Sequence, residues 1–435
     1  MDLHRRLHTI QSFLRQRHNA LKFDAVPDPR NARGVRWSVQ ALLSTAVLGL
    51  LMLARSLRKA EKFSEDLAWA QRSRGIKRRV PDSTLGDFLS RLKPQALREH
   101  LHRHILQEHR RKALEPEVLP IRAIAIDGKT VAMLDEAVNA DCQDQSPAGG
   151  PSRFAYRVMN TALISASAAA CIDQKPIPSA TNETGIFGEL FEELEEAYGK
   201  AHIYDLISTD AGLASERNAR QIDEAGKFYW ICLKGNQPEL QAEAWRLLRP
   251  VVEQSEPEAQ TDWERDSSRG WIRRELWRSP ELPGLGAWSH LCQVVLVRVL
   301  KAPGRLSGKA PFQGPIQILE ERLYVTNLRR DRLGAGGMLS LCRAHWRIEN
   351  ELHGSLDIQW QEDHGRWVRR GNGLPVVGLL RALAYNLLVL LRSVHLRTSK
   401  ARSASWQQLR DWMRDALIQR CQVDGQEGEV STATL

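Results

Sequence analysis

In the stretch HWRIENELHGSLDIQWQEDHGR, residues 345–366, His345, Glu349 and His353 recur four apart, with Arg347 between them. At a helical period they share one polar face beside a stripe carrying Ile348 and Leu352. The spacing predicts a helix with a chemical side. Two further acids close short apolar runs. Asp127 ends IRAIAID and Asp210 ends the run through Tyr204, Leu206 and Ile207. Carboxylates that converge from strand ends can hold a hard divalent cation, whose other positions take water and substrate phosphate. Read singly, each aspartate is equally a turn former, and the helix an ordinary amphipathic one.

The elements that must position these residues follow from pattern and punctuation. Residues 1–115 read as an all-α domain, broken at VPDPRNARGVRW by two prolines and a glycine. In it, Val39 to Ala54 forms a central apolar helix, and Arg58 to Gln71 and Asp82 to Leu92 are helices joined by a basic turn holding Arg74, Lys77, Arg78 and Arg79. Helix, basic turn, helix is a plausible DNA-docking unit. LEPEVLP marks the boundary. Residues 121–239 then alternate strands with helices, including runs 121–127, Thr161 to Ile172 and Phe228 to Leu233, which argues for α/β architecture. Residues 240–330 read as a β-rich insertion. The α/β core resumes over 331–395, and 396–435 is a C-terminal helix with a disordered tail.

The chain of 435 residues carries 62 Lys+Arg against 52 Asp+Glu, a formal charge of +10 and a pI near 9.5, so its field attracts polyanions. The six cysteines show no zinc spacing and read as reduced thiols of a cytoplasmic protein. The N-terminus lacks the apolar core of a signal peptide. Of two apolar runs, Val39 to Ala54 is too short to span a bilayer, and Leu374 to Leu391 carries Arg381 and Asn386, so neither reads as a membrane span.

The strings DGKT at 127–130, STDAGLAS at 208–215, LKGNQP at 233–238 and RAHWRIENELHGSLD at 343–357, followed by the acids 362 and 363, resemble the bacterial insertion-sequence DDE transposases of the H-repeat-associated branch. PDPRNARG with its apolar helix resembles the helical domain that accompanies them. The resemblance covers roughly residues 20–395. It implies an RNase H-like core with Asp127, Asp210 and Glu349 as the catalytic triad holding two Mg²⁺ or Mn²⁺ ions, Asp127 sharing both. It also implies cutting and rejoining of double-stranded DNA at terminal inverted repeats and in the target, by a homodimer assembled on DNA in the bacterial nucleoid. Lys129, Lys234, His345, Arg347, His353, Arg366, Arg369 and Arg370 are the expected phosphate contacts beside the triad. The chain departs from the branch's pattern at Leu213, where histidine is common, and at Gly354, where tryptophan is common. A DNA-binding derivative without turnover, or a nuclease of the same fold, would share most of these strings.

Overall fold

The computed structural model describes residues 3–33, 35–67, 75–266, 268–303, 315–364, 367–396 and 398–429, with 418–429 described by backbone alone. Through residue 110 the described elements are helical: α1 (Leu3–Ala20), α2 (Val39–Leu51), α3 (Leu57–Leu67), α4 (Asp82–Arg91) and α5 (Pro94–Arg110). Ser38 caps α2 by accepting from the Ala41 amide at 3.2 Å, and nearly every side chain of α2 is buried. The expected helix from Arg58 to Gln71 is described only as far as Leu67; its end and Arg74 lie outside the described residues.

One mixed sheet of eleven strands organises the rest. β1 (Ala123–Leu134) pairs antiparallel with β3 (Phe154–Leu163), whose far edge carries β2 (Cys142–Asp144) and β4 (Cys171–Pro176). On its other side β1 runs parallel to β5 (Leu206–Thr209), and β5 parallel to β6 (Phe228–Leu233). Helices α6 (Glu183–Tyr198) and α7 (Glu216–Glu224) supply the crossovers that parallel pairing demands.

Two expectations need correction. Asp127 does not end its strand, because β1 continues seven residues beyond it to Leu134, held by β3. The run from Thr161 to Ile172 is not one strand: it holds the end of β3, a reversal, and the start of β4. Residues 240–330 extend the core sheet. They open with helix α8 (Pro238–Gln254), and β7 (Ala259–Gln260), β8 (Glu264–Asp266), β9 (Gly270–Arg278), β10 (Gln293–Lys301) and β11 (Gln317–Thr326) join the same sheet. The junction is antiparallel pairing of β11 with β6, Leu323 opposite Leu233.

After the sheet come α9 (Ala335–His345), a π-helical turn (Ile348–His353), α10 (Gly354–Trp360), α11 (Gly373–Leu390), α12 (Ser399–Arg402) and α13 (Trp406–Glu429). By length and composition Gly373–His395 could cross a membrane, yet its apolar window is wholly buried inside the protein. It packs on α2, α4, α5 and β4. The N-terminal helices therefore share one continuous core with the sheet. Polar ties reinforce it: the indoles of Trp360 and Trp367 donate to the carbonyls of Leu50 and Ala54, and Arg98 on α5 pairs with the fully buried Asp173 on β4.

Candidate active site

Register brings the two aspartates together. β1 and β5 are aligned with Ile126 opposite Thr209, so Asp127 and Asp210 are the next residues on two adjacent parallel strands. Beyond that step β5 turns away. Asp210 caps the short turn Ala211–Leu213, its Oδ1 accepting from the Gly212 amide at 2.8 Å. A crevice at the carboxyl ends of parallel strands is where open α/β sheets place their chemistry.

Glu349 reaches the same place from the helix side. Its segment is π-helical, with the Gly354 amide donating to the Glu349 carbonyl five residues back, a widened turn found mostly at functional sites. A Cβ on Gly354 would stand 3.3 Å from that carbonyl oxygen, so glycine suits the turn.

Burial and repulsion from neighbouring acids raise the protonation points of Asp127 and Glu349. The Asp127 carboxyl is pushed up to about 7, first by burial and then by Asp210, Glu349 and Glu183. Glu349 is raised by burial and by Asp210, against the opposing pull of Arg322 and Lys234. Such uncompensated negative charge is what a divalent cation would neutralise, and an all-carboxylate donor set suits Mg²⁺ or Mn²⁺. Among the described residues no three His, Cys, Asp or Glu side chains form a ready-made metal cluster.

Glu183 is a fourth acid here that the sequence did not single out. It stands in the first turn of α6 after the Asn182 cap, paired with Arg157 of β3. A Cβ on Gly128 would overlap its carboxylate, and its Oε2 lies 3.6 Å from the position a Cβ would take on Gly212. Thr184 fixes the helix end by donating to the Gly212 carbonyl at 2.9 Å. The only sequence signal was an acid after an Asn cap, which ordinary helix starts share.

Several expected phosphate contacts prove to be internal. Lys129 is buried, its Nζ 2.6 Å from Asp357 Oδ1 and 2.9 Å from Glu362 Oε2, and Glu362 in turn accepts from Arg381 at 3.3 Å. His345 shares a 2.9 Å hydrogen bond with the Ser208 hydroxyl on β5, and burial holds it neutral by lowering its pKa to about 4. Arg347 donates to the carbonyls of Ile164, Ala166 and Ser167 and pairs with Glu351. His353 is buried beside Asp127 and Asn160. None of these four offers its charge to a ligand in this arrangement.

Lys234, at the end of β6, is exposed and close enough to pull on Glu349. Lys77, Arg78 and Arg79 are exposed too, Arg78 over the Trp37 ring at 4.6 Å and Arg79 held by Glu61. Arg369 and Arg370 line a surface hollow at the start of α4, with Arg370 3.6 Å from Asp87. Arg366 lies outside the described residues. A groove of about 530 Å³, missed in the sequence, runs from Glu349 across β9 and β11, lined by Arg269, Arg274, Arg322, Arg343 and Trp346 together with Asp266 and Glu320; Arg269 and Arg322 pair with Glu320, and Arg274 and Arg343 with Glu264. The Arg322 guanidinium stacks 4.5 Å over the Trp346 ring. Arg343 stands six residues before Glu349, but Arg269, Arg274 and Arg322 lie 27 to 80 residues away, and the pairing of β9 and β11 with β10 gathers them.

Comparison with known proteins agrees with the sequence resemblance. Residues 20–105 match the DDE_Tnp_1-associated family model. The chain is 25% identical over 375 residues to "Putative protein YbfL" of Escherichia coli K12, covering 83% of this chain and 88% of that protein. It is 24% identical over 374 residues to "Putative transposase YncI" of Escherichia coli O157:H7, covering 83% and 85%. To "H repeat-associated putative transposase YhhI" of Escherichia coli K12 it is 26% identical over 275 residues, covering 61% and 63%. A solved piggyBac transposase synaptic complex with hairpin DNA aligns at 12% identity with a TM-score of 0.41, over 100% of this chain and 83% of that one, too loose a likeness to argue from. The family match and these relatives support a bacterial DDE-type transposase.

Proposed function

We propose that the protein is an insertion-sequence DNA transposase, cleaving the ends of its element and transferring the strands by phosphodiester transesterification. The register that sets Asp127 beside Asp210, with Glu349 turned toward them, is the observation that carries this reading. The strand order supports an RNase H-like core: antiparallel β4, β3 and β1, then parallel β5 and β6. Asp127, Asp210 and Glu349 would hold Mg²⁺ or Mn²⁺, two ions in all. When bound, such ions polarise a phosphodiester and stabilise its attacking and leaving oxygens.

The chain's own residues supply placement. Glu183, pinned by Arg157, adds negative charge at the strand ends. We assign Lys234 and the groove arginines to the phosphate backbone entering the site, where phosphate would compete with Glu264 and Glu320 for the guanidinium groups, by charge rather than base sequence. Away from the acids, Lys77, Arg78 and Arg79 and the loop with Arg369 and Arg370 border α4, and we assign them to duplex DNA. Joining two ends calls for a homodimer on DNA.

The test is incubation of purified protein with duplexes carrying its own element's ends and Mg²⁺. The reading expects nicks leaving 3′-hydroxyls and their transfer into target DNA, both lost in Asp210→Ala. Binding without any cleavage would leave a DNA-binding derivative, and cleavage without joining a nuclease; either outcome overturns the proposal.

A further inference from the structure

Asp127, Asn160 and Gln174 form a polar row across three adjacent strands. Asp127 of β1 stands opposite Asn160 of β3, and Asn160 opposite Gln174 of β4. Cross-strand partners present their side chains on one face of a sheet. Here that face is closed by helices: Asn160 is 0% exposed and Gln174 3%, and a Cβ on Gly378 of α11 would overlap the Gln174 amide oxygen. Gln174 Nε2 donates to Asn160 Oδ1 at 3.0 Å, and Asn160 Nδ2 lies 3.0 Å from His353 Nε2. The other imidazole nitrogen, Nδ1, is 3.6 Å from Asp127 Oδ2.

This chain has a direction. An amide N–H of Asn160 donating to Nε2 requires a lone pair there, so the single ring proton must sit on Nδ1, facing the carboxylate. The reverse polarity, with both amides turned over, would set a bare Nδ1 lone pair against Asp127. The 3.6 Å gap is long for a hydrogen bond, as contacts at unliganded catalytic sites often are before they tighten.

We infer that His353 is a positioning residue for Asp127: through a tautomer fixed by Asn160 and Gln174, its Nδ1–H steers one carboxylate oxygen and leaves the other for a cation. The inference rests on the reading of Asp127 as a cation ligand. It gives His353 a role other than phosphate contact, and it accounts for the buried Asn160–Gln174 pair beside Asp127. Ligand orientation from behind is a general requirement of metal sites, and losing it typically costs about 10- to 100-fold in affinity.

Two amide substitutions separate the ring's two ends. In His353→Asn the side-chain N–H can occupy the Nδ1 position but cannot reach Asn160; in His353→Gln the amide reaches the Nε2 position and leaves Asp127 without its donor. Mn²⁺ binding, followed by electron paramagnetic resonance on the DNA-free protein, is expected to weaken about 10-fold in His353→Gln and to stay within a few-fold of wild type in His353→Asn. Nitrogen-15 spectra of histidine-labelled wild-type protein, with the His353 signals identified as those missing from whichever variant folds, are expected to show a protonated Nδ1 and a bare Nε2. An Nε2-protonated ring, or equal Mn²⁺ affinities in the two variants while Asp127→Asn abolishes binding, overturns the inference alone. Unchanged Mn²⁺ binding in Asp127→Asn overturns the cation site itself, and the inference with it.

Discussion

Replacing Asp127 with asparagine should make the metal-free protein more stable. Its carboxyl titrates at about 7 in the fold against an ordinary 3.8, because burial and three neighbouring acids oppose its charge. A carboxyl whose folded pKa is raised contributes stability that is fully present below its unfolded pKa and is lost as pH rises through the folded one. At about 1.4 kcal/mol per pH unit, the charged form costs the fold up to about 4 kcal/mol above pH 7. The side chain is only 17% exposed, so solvent screening removes little of this, though an amide in the same place recovers only part. For 435 residues the unfolding entropy is about 0.9 kcal/mol per degree, so a gain of about 2–4 °C in Tm is expected at pH 8. Scanning calorimetry of the two proteins in chelator at pH 8 and pH 4.5 reads it. The advantage should shrink at pH 4.5, and millimolar Mg²⁺ at pH 8 should favour the wild type instead. A variant less stable than wild type in chelator at pH 8 would refute the reasoning, because the carboxylate would then be satisfied by the protein rather than awaiting a cation.

Arg98→Met should cost about 3–5 kcal/mol at pH 7, since it strands a carboxylate that is 0% exposed. Asp173 is lowered to about 2 in the wild type despite its burial, by Arg98 and His102, so it contributes stability above its ordinary pKa that is lost as pH falls through about 2. With Arg98 gone, only His102 and the Gln174 amide still oppose burial and the Asp173 carboxyl moves up toward protonation, so the Tm gap between variant and wild type should narrow from pH 7 to pH 4; a constant gap would show that lost packing, not charge, sets the cost. Gly128→Ala removes the room that the Glu183 carboxylate occupies. Because a flexible side-chain end must give way, stability should change by about 1 kcal/mol at most, while Mn²⁺ affinity falls several-fold as Glu183 is pushed off the strand ends; unchanged affinity in titration calorimetry would remove Glu183 from the site.

Much of the scaffold could be read along the chain. The run Phe228 to Leu233 is β6 to the residue, and the long apolar helix after Leu374 is α11, because short β-branched or aromatic runs and long aliphatic ones carry their own signal. The errors fall where pairing partners are remote. Gly128 and Lys129 looked like a break, yet β3 carries β1 straight through them, with Met159 and Val158 as their partners. Nothing near Leu323 announces that it lies against Leu233, some ninety residues away, so the sequence shows a β-rich insertion leading back to the core without showing that its strands extend the core sheet. Arginines gathered by that pairing could not be seen as neighbours of Glu349, whereas Asp127 and Asp210 could, since each follows a run of its own.

The charged face of the helix at 345–353 shows why side-chain type misled where spacing did not. Four-residue spacing placed His345, Glu349 and His353 on one side, and ionisable groups on one side ordinarily mean water. Ile348 and Leu352 are 0% exposed, but His345 and His353 are also buried, at 7% and 9%, so the helix is enclosed almost all round. Each polar group there meets a specific partner: Ser208 on β5 for His345, Asn160 on β3 for His353, and three backbone carbonyls for Arg347. Glu349 alone on this face faces other acids. A helix that satisfies its neighbours so fully, interrupts its own ladder with a π turn at Ile348–His353, and leaves one carboxylate opposed by its surroundings has its local rules broken at a single point. Sequences tolerate such a breach where function requires it. The two histidines are then the supports that hold the helix against β5 and β3, and under the proposed function the residue they flank, Glu349, is the one that would meet a cation.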